Sequence, residues 1–246
     1  SQVGCNMGCV FCETGRMGLL RNLTTAEITA QVFIARHVLG YSFRNIVFMG
    51  MGEPLDNWEA VSQAVQVLTD PAGFGFAKNR ITISTSGRVD GIYRMLEAGE
   101  PYVNLALSIN APNDSLRNRL MPLNRRYDME AIRKAIEDYC AATQRQVLLA
   151  YVLMRDFNDG LEHAEQLAEW VQGLDVKINL IPYNPQSRDR FAAPTEEGLD
   201  AFAAYLRSRH LRTLVRHNKG RDIMAACGQL GNLELRRQLA QRKALS

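Results

Sequence analysis

A chain of 246 residues, 46% of them apolar, with 18 Gly and 8 Pro, is long enough to bury one sizeable core and has the composition of a soluble globular domain. No apolar run reaches the roughly 18 residues of a membrane span, and from the polar, glycine-containing start no secretory signal is expected. A net charge of +3 excludes a strongly charged chain, and five unevenly placed cysteines are too few for a disulfide scaffold, so a reducing, cytoplasmic setting with thiols kept for a metal or for catalysis is expected.

In chain order, Ser1 to Gly4 is expected to end a first strand, and a cysteine-rich loop, "GCNMGCVFCETG", follows it. Thr24-Thr25-Ala26-Glu27 fits a capping box, which starts a helix near 25–39. Short apolar, β-branched runs then alternate with amphipathic stretches. Strands are predicted at 45–50, 80–86, 103–109, 147–154 and 176–182, and their continuous hydrophobicity predicts burial on both faces. Helices are predicted near 57–69, 88–98, 129–143, 160–172 and 195–208, with Asp56 or Asn57, and Asn113, able to cap the helices after them. Six strand–helix units of this kind make an α/β fold, a partial (β/α)6 TIM-like barrel, in one domain. Ligands of such folds collect where the strands end, and Glu53, Ser84, Ser108, Asn110 and Asn184 fall at those ends. The last forty residues crowd basic side chains (Arg207, Arg209, Arg212, Arg216, Lys219, Arg221, Arg236, Arg237, Arg242, Lys243), which suit either a solvated helical surface or a phosphate-rich partner.

Cys5, Cys9 and Cys12 have the spacing C-x3-C-x2-C. A structural zinc site wants four closed ligands, and no second pair of cysteines is near; His37, the nearest histidine, is expected at the far end of a helix. A C-x2-C redox pair would use Cys9 and Cys12 and leave Cys5 idle. Three thiolates can hold three irons of a 4Fe-4S cluster and leave the fourth open for chemistry. Downstream, "MGMGEP" (49–54) closes a strand with glycines that let backbone and the Glu53 carboxylate approach a ligand.

The cysteine loop resembles that of the radical S-adenosylmethionine (SAM) superfamily, and the six blocks "SQVGCNMGCVFCETGRMGLLRNLTTAEI", "GMGEPLDN", "ITISTSG", "LALSINAPND", "NLIPYNP" and "GRDIMAACGQL" stand in the order seen in the RlmN/Cfr family of radical-SAM RNA methyltransferases. The resemblance implies that Cys5, Cys9 and Cys12 ligate a 4Fe-4S cluster and that Gly52, Glu53, Ser84, Ser108, Asn110 and Asn184 line a SAM site. It further implies that Cys227, by itself readable as a buried lone thiol, carries a methyl group during the reaction. The activity implied is formation of 2-methyladenosine in large-subunit ribosomal RNA, with tRNA as a further substrate; methylation at C8, or a protein or small-molecule substrate, is the alternative. One SAM would methylate Cys227; a second would supply the radical that activates the S-methyl group for addition to the base. The implied partners are RNA and an electron donor such as flavodoxin or ferredoxin, with no membrane and a monomeric protein. Three positions depart from the family pattern: Asn110 for His, Glu13 for Ala and Tyr183 for Trp. The family's resolving cysteine and N-terminal accessory domain are expected to precede the first residue given, as if the chain were cut at a domain boundary. Cys140 matches no motif and reads as a core residue of its helix.

Overall fold

The computed structural model describes residues 1–99, 102–184, 190–216 and 228–231. It opens on β1 (Gln2–Val3), the helix α1 (Glu13–Met17) and β2 (Arg21–Asn22). Helix and strand then alternate through α2 (Thr25–Phe33), β3 (Ile46–Phe48), α3 (Trp58–Thr69), β4 (Ile81–Thr85), α4 (Val89–Glu97) and β5 (Asn104–Ser108). The remaining elements are α5 (Asp114–Leu120), α6 (Met129–Thr143), β6 (Val147–Leu153), α7 (Leu161–Trp170), β7 (Val176–Pro182), α8 (Glu196–Ser208) and β8 (Thr213–Val215). Strands β3 to β8 form one parallel sheet in chain order, each step made through helix, the pattern of an open β/α barrel.

The sheet has six strands as expected, but not the expected six. Gln2–Val3 pairs antiparallel with Arg21–Asn22 in a small separate sheet, so Ser1 to Gly4 does not end the barrel's first strand. The sixth place is taken by β8, three residues too short to stand out as an apolar run, which pairs with β7 through Ile178↔Thr213 and Leu180↔Val215. Helix α2 ends at Phe33, and Ile34–Val38 continues as a π-helical turn that holds the exposed His37.

Strand alternation separates two environments. Ile81 and Ile83, Leu105 and Leu107, Leu149 and Tyr151, and Ile178 and Leu180 point into the main core, where they meet Val61, Leu68, Ile92, Ile136, Leu167 and Phe202 from the helices. Each such Leu or Ile contributes roughly 1.5–3 kcal/mol by leaving water. Of the alternate residues, the small or polar Ser84, Ser108, Ala150 and Asn179, together with Val152 and Ile181, line a cavity. Burial on both faces therefore holds only in part, because the inner face is half-buried around that cavity.

Local signals work where their partners are local. Thr24 Oγ1 accepts the Glu27 N–H (3.2 Å) while Glu27 Oε2 accepts the Thr24 N–H (2.9 Å), the reciprocal capping box. Asn113 Oδ1 accepts the Leu116 N–H at 3.0 Å and caps α5. Asn57 does not cap α3. Its buried amide donates to the carbonyls of Ser1 (2.9 Å) and Leu23 (2.8 Å), fastening the small sheet to the barrel, while Asp56 pairs with Arg88 at 2.7 Å.

Candidate active site

Cys5, Cys9 and Cys12 are free, half-buried thiols facing one cavity of about 180 Å³ at the C-terminal ends of the barrel strands. The loop that carries them is closed by a bond from the Cys5 N–H to the Gly18 carbonyl (3.1 Å), and at Gly4 (φ +82°) an added Cβ would lie 1.9 Å from that carbonyl oxygen. Only glycine fits there. Helix α1 begins directly after Cys12, and its Glu13 N–H donates to the Gly228 carbonyl (2.8 Å) while the Thr14 hydroxyl donates to the Leu230 carbonyl. The cysteine loop is thus clasped to the segment 228–231.

Every residue assigned from sequence to the SAM site lines this same cavity: Gly52, Glu53, Ser84, Ser108, Asn110 and Asn184. Cys227 lies outside the described residues, but its neighbour Gly228 is on the cavity wall. Of the basic residues near the end of the chain, Arg216 also lines the cavity, a position its sequence context did not single out; Lys219, Arg221, Arg236, Arg237, Arg242 and Lys243 lie outside the described residues. A larger cavity, about 440 Å³, sits beside β3 and is walled mainly by Leu23, Ile28, Val32, Phe48 and Leu68 with no thiol or carboxylate. Size alone would select the wrong one; convergent polar groups select the first.

Glu53 is 3% exposed and firmly held. Its Oε2 accepts the Ser86 N–H and the Ser86 hydroxyl, both at 2.8 Å, and its Oε1 accepts the Leu55 N–H at 3.2 Å. Burial pushes its carboxyl up from the usual range, and the bonds from Ser86 and Leu55 oppose that. Ahead of it, Gly52 has φ +93°, and an added Cβ would fall 2.5 Å from the Gln2 Cβ. Gln2 explains the closeness: its Oε1 accepts the Glu53 N–H (2.8 Å) and its Nε2 donates to Asn22 Oδ1 (2.8 Å).

Asn110 is 1% exposed at φ +57°, a left-handed conformation that Asn tolerates better than most residues. Its Oδ1 accepts the Val152 N–H (2.9 Å) and its Nδ2 donates to Met121 Sδ (3.4 Å), leaving one lone pair and one hydrogen of the amide for anything in the cavity. Beneath it, fully buried Asn158 donates to the Asn110 and Val152 carbonyls, each at 2.8 Å, and accepts the Met154 N–H at 2.7 Å. Tyr183 is buried among Phe11, Met154 and Phe191. Gln2, Ser86, Asn158 and Arg117 were not among the sequence candidates, although Ser86 falls within the quoted "ITISTSG" block. Cys140 lies on α6, partly buried against the core, with its thiol 3.6 Å from the Asp175 carbonyl and away from the cavity.

The donor set fits an iron-sulfur group. Burial pushes the Cys5 thiol up to about 11 against a lowering bond from the Met7 backbone, and pushes Cys9 up as well, with Cys12 and Cys5 adding to it. Bare Cys5 and Cys9 thiols stay protonated at neutral pH; a bound metal centre reverses that by its own charge. Among the described residues no three His, Cys, Asp or Glu side chains close on a single ion. A cluster that gives each thiol its own iron needs no such point.

Three convergent thiols and a clamped carboxylate at the strand ends of an open parallel barrel define a class: barrel proteins that hold a thiolate-bound group and an organic ligand side by side. The model of the radical SAM superfamily matches residues 1–171. A probable dual-specificity RNA methyltransferase RlmN 1 of Protochlamydia amoebophila is 61% identical over 97% of this chain and 66% of its own length. The dual-specificity RNA methyltransferase RlmN of Nitratidesulfovibrio vulgaris is 44% identical over 97% of this chain and 67% of its own. The crystal structure of a radical SAM methyltransferase from Sphaerobacter thermophilus superposes with a TM-score of 0.89 at 46% identity, covering 93% of this chain and 67% of that one. The chain belongs to the radical SAM superfamily and, within it, to the RlmN family. It spans about two thirds of the length of these relatives. The superfamily works with a 4Fe-4S cluster and SAM, and this cavity has the residues to hold both.

Proposed function

We propose that this chain is the catalytic core of a radical-SAM RNA methyltransferase that forms 2-methyladenosine in large-subunit ribosomal RNA and in tRNA. The observation that supports it most is the convergence of Cys5, Cys9 and Cys12 with Gly52, Glu53, Ser84, Ser108, Asn110 and Asn184 on one cavity, in a chain whose relatives are described as dual-specificity RNA methyltransferases. In this reading the three cysteines hold the cluster, Glu53 faces the ammonium of SAM, and Ser84, Ser108, Asn110 and Asn184 orient the rest of it. When bound, cluster and SAM together supply the one-electron chemistry that an electron-poor aromatic carbon requires. The protein's part is placement and exclusion of water. Cys227 would act as a thiolate nucleophile, accepting a methyl group on sulfur and presenting it to the base. The base must be flipped or splayed out of its stack to reach the cavity, since adenine C2 is hidden in a duplex. An electron donor of the flavodoxin or ferredoxin kind, a cytoplasmic setting and a monomeric enzyme complete the proposal.

The test is mass spectrometry in two places. A methyl group on the Cys227 sulfur of the protein as expressed, and loss of 2-methyladenosine from ribosomal RNA when the gene is deleted, are the expected results. An unmodified Cys227 in protein that still methylates RNA would overturn the cysteine route, and 8-methyladenosine as the product would overturn the choice of carbon.

A further inference from the structure

Among the described residues, Arg117 is the only Lys or Arg in the buried set, with no exposed surface at all. It stands on α5 just beneath the cavity. Its Nε donates to the Ile109 carbonyl (3.1 Å), Nη1 to Asn124 Oδ1 (2.6 Å), and Nη2 to the carbonyls of Ser86 (2.6 Å) and Ser108 (3.3 Å). Ser86 and Ser108 both line the cavity, so the guanidinium joins the ends of β4 and β5 at its floor. The chain leaves room for it: at Gly87 (φ +106°) an added Cβ would come within 2.9 Å of Nη2.

All four acceptors are neutral, and the nearest carboxylate on this path, Asp114, is reached only through Asn124, whose Nδ2 donates to Asp114 Oδ1 at 2.7 Å. A buried cation served only by neutral groups is costly unless opposite charge stands close. The cysteine loop is what packs against this helix. The Val10 N–H donates to the Leu120 carbonyl (3.0 Å), one turn beyond Arg117, and Cys9, Val10 and Cys12 share an apolar cluster with Leu116, Leu120 and Met121. Arg117 lies within electrostatic reach of Cys9, and burial draws the guanidinium down to about 10, still charged at neutral pH.

Three thiolates leave an oxidised 4Fe-4S unit with net negative charge, and a one-electron reduction adds one more. A fixed cation in a medium of low dielectric favours the more negative state. Resting on the reading that Cys5, Cys9 and Cys12 hold such a cluster, we propose that Arg117 is its built-in counter-cation, a positioning residue whose charge retains the thiolate-bound group and raises its reduction potential. The electron itself comes from the external donor, and from dithionite in the test.

The experiment compares midpoint potentials, by dithionite titration followed by electron paramagnetic resonance, of the full chain reconstituted anaerobically with iron and sulfide. Arg117→Gln is expected to disfavour reduction about tenfold, a fall of about 59 mV for a one-electron couple. Arg117→Lys, which keeps the charge and loses the fork of donors, is expected to stay within about twofold of the wild type. The double exchange Asp114→Asn with Asn124→Asp moves an existing carboxylate into direct contact with the guanidinium without altering net charge, and is expected to lower the potential as Arg117→Gln does. It carries the test should Arg117→Gln fail to fold. A Gln variant or double exchange with the wild-type potential overturns the proposal, as does a Lys variant that falls as far as Gln, the mark of a purely geometric tie. A wild-type chain that takes up no cluster overturns the site reading and this proposal together; a loaded wild type with unmoved variants overturns this one alone.

Discussion

Ser86 holds one oxygen of Glu53 with two donors, its backbone N–H and its hydroxyl, each 2.8 Å from Oε2. That grip aims a buried carboxylate from the β3 end using the end of β4. Ser86→Ala deletes one charge-assisted bond, worth about 1.5–3 kcal/mol, and leaves the backbone donor in place. Affinity for SAM, measured calorimetrically on cluster-loaded protein, is expected to weaken about tenfold or more. Unchanged affinity would mean that the aim of Glu53 does not matter to the ligand.

The cysteines separate by location. Cys9→Ala is expected to lose most of the bound iron and the brown colour of the anaerobic protein, while Cys140→Ser, on α6 beside Asp175, keeps both. Iron and acid-labile sulfide assays read the difference. Equal loss in the two variants would contradict the assignment of the cavity thiols.

Gly52 and Gln2 touch where no side chain fits between them. Gly52→Ala places a Cβ 2.5 Å from the Gln2 Cβ at φ +93°, and backbone strain of this kind costs about 1–3 kcal/mol before any clash is counted. A fall in melting temperature of at least about 2–4 °C, read by circular dichroism, is expected at this chain length.

Asn158 makes three bonds from a fully buried position, to Asn110, Val152 and Met154. Asn158→Ala leaves three backbone groups unpaired, each costing about 1–3 kcal/mol. Stability measured by urea unfolding is expected to drop by more than about 2 kcal/mol. SAM affinity should fall with it, since Asn110 is set by this network; a variant as stable as the parent would show that the groups find other partners.

Glu27 provides a pH test far from the cavity. Its bonds to Arg21, Thr24 N–H and Thr24 hydroxyl hold its carboxyl down at about 2, below the ordinary 4.5. A carboxyl whose folded value is depressed stabilises the fold above its unfolded value and loses that contribution as pH falls through the folded one. The gap in melting temperature between the parent and Glu27→Gln is therefore expected to be full at pH 7 and to close between about pH 4.5 and about pH 2. A gap that is constant with pH would assign the effect to the capping geometry alone.

Much of the architecture was legible because its causes are local. Residues 176–182 read as a strand from their apolar run and form β7 over the same span, and the capping box at Thr24 and Glu27 needs only neighbours three residues apart. The failures share another cause. Gln2–Val3 reads as a barrel strand until its partner, Arg21–Asn22, is known, and Thr213–Val215 earns its place in the sheet from β7, not from its own three residues. Asn57 looks like a helix cap and is spent instead on Ser1 and Leu23.

The amino-acid order alone determined that three thiols stand within eight positions, that strands and helices alternate, and which polar residues fall where strands end, because spacing and periodicity are properties of neighbours along the chain. Only the folded chain decided which charges are buried and what they face. Arg117, Gln2 and Asn158 have the side chains of ordinary surface residues, and their roles arise from partners the fold brings to them: Ser86 and Ser108 to Arg117, Glu53 to Gln2, and Asn110 to Asn158. Pairing at that range depends on the register of the parallel strands and the packing of α5 beneath the cavity, neither of which any short stretch of residues encodes by itself.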